Sequence, residues 1–254
     1  MKAVLALVLS AWSCAAMAQD VTVIGEVHDN PAHHETQARL VAEIAPRALV
    51  FEMLTPEQAA RIAPGTRGGA EALADLLGWA ESGWPDFDMY YPIFEAAPGA
   101  RIHGAGLDRE AARAAMKDGL DAALDGEAAR YGLDAPLPEA QQAAREALQM
   151  RAHCDALPEE MLPGMVRVQR LRDAMLARAA LAAHEETGGP VVVITGNGHA
   201  RKDWGMPALL ARAAPELEIR AIGQSETGAP LAGEYDKVIS APPPARDDPC
   251  AVFR

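Results

Sequence analysis

A chain of 254 residues with 50% hydrophobic side chains is long enough for one α/β domain with a sizeable core. Its formal net charge of −13 argues against a nucleic-acid partner, whose phosphate backbone needs a basic surface. Aromatic residues make up only 5%, so packing must rest on aliphatic side chains and helix–sheet contacts.

The first 18 residues read as a signal peptide. Met1-Lys2 is a short positive start, Ala3 to Trp12 an apolar run, and Ala16-Met17-Ala18 a cleavage site that leaves Gln19 as the mature N-terminus. The predicted location is periplasmic. The apolar run is too short to span a bilayer well. Cys14 offers a lipid anchor, and hence membrane proximity, as the alternative. Ala11-Trp12-Ser13 before it lacks the leucine such an anchor site usually carries, which favours ordinary cleavage.

The elements then follow in order. Val21-Thr22-Val23-Ile24 is a β-branched run that predicts a buried strand over 21–25, ending in Gly25-Glu26-Val27-His28. Asn30-Pro31 is a cap followed by a first-turn proline, so a helix is predicted over 31–45, with His33 and His34 in its first turn. Ala48 to Phe51 predicts a strand that ends on Glu52, a carboxylate that is costly there unless it faces a polar pocket. Helices are predicted over 56–62, 69–81 and 88–97, a strand over 100–104, and helices over 108–116, 119–131, 138–152 and 159–186. A second β-branched run predicts a strand over 190–195, ending in Gly196-Asn197-Gly198-His199. A helix over 202–213, a strand over 217–223 and a short strand over 237–240 complete the list. The alternation predicts an α/β fold with a mainly parallel central sheet flanked by helices. The helix-rich stretch 55–187 reads as an insertion or lid within a single domain, 19–254. After cleavage two cysteines remain, Cys154 and Cys250, and an even pair in an exported chain predicts a disulfide tying down the tail 240–254.

Parallel strands place their carboxyl ends along one edge, where open α/β sheets bind ligands. Glu26, His28, Glu52 and His199 therefore converge. Two imidazoles with carboxylates suit a divalent transition metal, or acid–base work on a bound water. Arg201, after the second motif, can pair with a ligand carboxylate. The stretch Trp84 to Pro92 concentrates aromatics, and a tyrosinate such as Tyr90 can ligate ferric haem. His153, beside Cys154, is a further ligand candidate. Gln169 and Asp173, four apart on one helical face, can point into the pocket, and the methionines from Met161 to Met175 read as a core stripe.

Ile24 to His34, Phe51-Glu52-Met53-Leu54, Tyr90-Tyr91-Pro92, Gln169 to Met175 and Gly196 to Arg201, taken together, resemble the ChaN-like family of haem-binding uptake proteins, within the Tiki/TraB/erythromycin-esterase superfamily. The resemblance spans about 21–223. It implies an exported protein of haem or iron uptake with haem as cofactor; Tyr90 matches its tyrosine-proline segment, and the candidate cofactor contacts are Tyr90, Asn197 and Arg201, with His153 added from the residues alone. In the superfamily's enzymes the Gly-x-x-His motifs and a glutamate build a hydrolytic, often metal-dependent site. Carried over, those residues are Glu26, His28, Glu52 and His199, and a metal-dependent hydrolase is the alternative function. ChaN-like proteins are often lipid-anchored, and the surroundings of Cys14 depart from that.

Overall fold

The computed structural model describes residues 19–251, apart from 64, 66 and 249. The expected signal peptide and Cys14 lie outside the described residues. Six strands, β1 (Val21–Glu26), β2 (Ala48–Phe51), β3 (Arg101–Gly104), β4 (Val191–Gly196), β5 (Ile219–Glu226) and β6 (Lys237–Ala241), form one sheet in the order β3-β2-β4-β1-β5-β6. Every neighbouring pair is parallel. The helices are α1 (Pro31–Ile44), α2 (Pro56–Ala59), α3 (Ala70–Leu77), α4 (Phe87–Ala96), α5 (Arg109–Asp118), α6 (Glu139–Ala152), α7 (Leu162–Thr187), α8 (Asn197–Ala200) and α9 (Met206–Ala213). None of the described helices is long and apolar enough to cross a membrane.

The central strands are apolar on both faces because helices cover both. Successive side chains of a strand point to opposite faces. Val191 and Val193 accordingly join Val21, Val23 and Val50 against Leu171, Ala174 and Ala177 of α7, with Met206 and Leu210 of α9. Val192 and Ile194 join Ile24, Leu49 and Phe51 against α1 and α4, where Phe51 stacks on Phe94 with centroids 4.4 Å apart. Alanines along α7 remove the side-chain bulk that would hold this helix off the sheet.

Two sequence expectations change. The helix over 119–131 is two short 3-10 turns, Ala122–Leu124 and Ala128–Tyr131, because Asp125 (φ 55°) and Gly126 (φ 84°) take left-handed conformations between them. The helix over 202–213 starts only at Met206, and the residues after β4 instead form α8. Within the helix-rich middle, α4, β3 and α7 belong to the sheet and its covering layers.

The disulfide joins Cys154, just after α6, to Cys250 across 96 residues of sequence. Arg246 adds ion pairs from the tail to Glu226 at 2.6 Å and Asp29 at 2.9 Å.

Candidate functional site

The register sets the site. Glu26 lies opposite Gly196 in the β1–β4 pairing, and the Glu52 backbone N–H donates to the Ile194 carbonyl at 3.1 Å. Both carboxylates thus leave the sheet at the same level as the second Gly-x-x-His motif. Neither motif glycine is needed for an unusual turn, since neither takes a positive φ. Each is required by close approach of the other motif. A Cβ on Gly25 would lie 2.5 Å from Asn197 Oδ1 and 3.0 Å from the Asn197 Cα, and one on Gly196 would lie 3.0 Å from His28 Nε2. Gly25→Ala therefore forces backbone apart between β1 and α8, and is expected to cost about 1–3 kcal/mol in chemical denaturation. A stability equal to that of the parent would refute the interlock.

Two acid–imidazole pairs flank Glu52. In the first, His28 Nδ1 donates to Glu26 Oε1 at 2.7 Å. Glu26 also accepts from Gln37 at 2.7 Å and from the Tyr90 hydroxyl at 3.1 Å. His34 lies 3.5 Å from the same carboxylate and donates through Nε2 to the His28 carbonyl at 2.8 Å. This shell holds His28 in one orientation. Its Nε2 makes no hydrogen bond among the described residues, and its ring meets the edge of Trp84 with centroids 4.9 Å apart. In the second pair, His199 Nδ1 lies 2.6 Å from Asp173 Oδ1, while His199 Nε2 lies 3.6 Å from Glu52 Oε1. The other Glu52 oxygen accepts from the Thr195 hydroxyl at 2.6 Å and the Gly196 N–H at 2.8 Å.

The electrostatics follow from burial against charge. Burial by itself would push the Glu52 carboxyl up, but the His199 and His28 charges and the two hydrogen bonds bring it down to about 2. Burial would lower His199, yet Glu52 and Asp173 outweigh it and hold the imidazole above its ordinary value. His28 is raised in the same way, burial being overcome by the Glu26 hydrogen bond and the Glu52 charge. Asp173 is raised by burial in spite of His199. A charged Glu52 between two readily protonated histidines is an internally compensated site.

A cleft of about 300 Å³ opens beside Glu52, walled by Met53, Trp84, Leu107, Leu176 and Arg172. A smaller cavity of about 60 Å³ touches Asp173 and His199 on another side, with Arg145, Gln169 and Trp204.

The four residues proposed as catalytic or metal-binding do come together, but not as a metal cage. Among the described residues no group of three His, Cys, Asp or Glu side chains could hold a metal ion. Glu26 is sealed behind His28 by Gln37 and Tyr90, and Glu52 has one oxygen tied to Thr195 and Gly196. The cofactor candidates are placed differently again. Tyr90 is fully buried and burial together with Glu26 raises its phenol, so it orients Glu26 from within the core. Asn197 donates to the Gln224 carbonyl at 2.8 Å and accepts from its N–H at 2.9 Å, fastening α8 to β5. Arg201 is engaged by Asp203 through both ends of its guanidinium and stacks on Trp204 at 3.5 Å. His153 is half-buried at the end of α6, with Nδ1 donating to the Gln149 carbonyl at 2.8 Å. The cation that lines the cleft is Arg172, which makes no hydrogen bond or ion pair with the described residues.

A family model described as haem-binding uptake, Tiki superfamily, ChaN matches residues 12–210. The chain belongs to the ChaN family. Among solved structures, this ChaN-family chain is similar to ChaN of Campylobacter jejuni, described with cofacial haem binding, at 19% identity and a TM-score of 0.64 over 87% of each chain. That likeness shows the fold, a parallel α/β sheet with flanking helices. The type III effector HopBA1 is more distant, at 16% identity and a TM-score of 0.43 over 88% of each chain. A Bacillus cereus protein is at 13% identity and 0.34, over 82% of this chain and 66% of that one. No curated protein sequence matches the chain.

Proposed function

We propose that this ChaN-family protein is an exported haem-binding protein acting in haem or iron uptake, and that haem lies against the cleft at the carboxyl ends of β1, β2 and β4. The observation that carries this reading is the Glu26–His28 pair. A carboxylate on Nδ1 fixes the imidazole and leaves Nε2 as a ligand, the arrangement metal-binding histidines commonly have. When bound, haem would supply an iron that the His28 imidazole could ligate. Trp84 and Met53 offer apolar surface to a flat ring, and Arg172 can pair with a carboxylate at its rim. The cleft is too small to enclose a porphyrin and suits one that lies across its mouth. The family membership, the haem bound by Campylobacter jejuni ChaN and a disulfide suited to an oxidising compartment all support the reading.

The test is haemin titration of the full chain, read at the Soret band. The wild type is expected to give a saturable, shifted band. His28→Ala should weaken binding by at least about tenfold and alter the band, while His153→Ala leaves both unchanged. Retention of the wild-type spectrum by His28→Ala, with its loss in His153→Ala, would move the ligand to α6.

One observation favours a second reading. Asp173, His199 and Glu52 form an acid–base chain next to a small cavity, which suits activation of a water. Hydrolysis of activated esters by the wild type and its loss in His199→Ala is the result that reading requires.

A further inference from the structure

A separate cavity of about 200 Å³ shares Arg145 and Trp204 with the small cavity at His199, but opens between α6, α7 and α9. In a chain of net charge −13 it is lined by three guanidinium groups, Arg145, Arg170 and Arg212. Two of the nearby carboxylates are shared with other groups, and Asp134 adds a further negative charge beside Arg170. Asp203, also in the lining, is held by Arg201, and Asp173, 4.0 Å from Arg145, is bonded to His199. Arg212 makes no hydrogen bond or ion pair with the described residues. Arg170 donates one nitrogen to the carbonyls of Gly132 and Ala135, at 2.9 and 3.2 Å.

One donor in the lining is left without a partner: Arg145 Nε is buried and makes no hydrogen bond among the described residues. Buried donors of this kind cost stability unless something satisfies them. Guanidinium groups recognise oxyanions through paired N–H donors, and carboxylate and phosphate present the matching oxygens.

We propose that this cavity is a binding site for a small oxyanion, a phosphate or a compact carboxylate, held by Arg145, Arg170 and Arg212. It shares no lining residue with the haem cleft, so the two sites are distinct. Arg145 links it to the Asp173–His199 pair.

The test is calorimetric titration and thermal melting of the full chain with sodium phosphate and, separately, sodium succinate, against sodium chloride at equal ionic strength. Saturable binding of one anion per chain, with a raised melting temperature, is expected from at least one of them. Phosphate alone would assign a phosphate or phosphate-ester ligand, and succinate alone a carboxylate. The exposed Arg212→Gln should weaken binding about tenfold while leaving the ligand-free melting temperature unchanged. Arg170→Lys, which keeps the charge but loses the paired donors, should also weaken binding. No binding above the chloride control at millimolar anion, or equal binding by wild type and both variants, would overturn the proposal.

Discussion

Glu52→Ala is expected to destabilise the protein by about 3–5 kcal/mol, the scale for removing one partner from a buried charged network. The Thr195 hydroxyl and the Gly196 N–H lose their acceptor, and the His199 charge is left with Asp173 alone. The same residue sets the acid limit of stability. Its folded pKa is about 2 against an ordinary 4.5. Its contribution is therefore complete above pH 4.5 and disappears as the pH falls towards 2, about 3 kcal/mol in all. His28 and His199 act in the opposite sense. Both are raised above 6.5, so their contribution is complete below pH 6.5 and is lost as the pH rises through their folded values. Stability should peak between these limits. Urea denaturation of wild type and Glu52→Ala from about pH 2 to about pH 8 checks this. The variant should show a shallower acid slope, the remainder coming from other lowered carboxylates such as Asp203, Glu226 and Asp236, and an unchanged slope would remove Glu52 from the account.

Loss of the disulfide is the second large effect. Cross-linking Cys154 to Cys250 closes a loop with a sequence separation of 96. Chain-entropy reasoning puts the resulting destabilisation of the unfolded state at about 4–5 kcal/mol, as an upper limit. The tail it fastens carries Arg246, whose ion pairs with Glu226 and Asp29 hold residues beside the start of α1. The Cys154→Ser/Cys250→Ser double variant should therefore melt earlier and become sensitive to proteolysis within 242–251 before the core unfolds. Equal melting temperatures for the double variant and the oxidised wild type would show that the bond constrains nothing.

β1 and β4 were legible because each carries a short β-branched run, and β2 because a short apolar run ends next to the charged Glu52. Parallel topology then brings Glu26, His28, Glu52 and His199 to one edge without further information. The roles of the motif glycines were not legible. They depend on the first motif packing against the second, more than 160 residues away, which local conformational preference does not report. The helical spacing of Gln169 and Asp173 pointed towards the site, but nothing local marked Asp173 as the partner of His199. Arg201 stood close to the second motif in sequence and so looked like the anion-binding residue. In the fold Asp203 and Trp204 engage it, and Arg172, unremarkable on a long helix, lines the cleft instead. The expected single helix over 119–131 does not form because Asp125-Gly126 interrupts it with left-handed backbone.

Haem ligation through His28 is tested most directly by resonance Raman spectroscopy of the ferrous haem complex, with and without ¹⁵N-labelled histidine. An iron–histidine stretching band that shifts on labelling and vanishes in His28→Ala is the predicted result. A haem complex that lacks the band in the wild type, or keeps it in His28→Ala, contradicts the assignment.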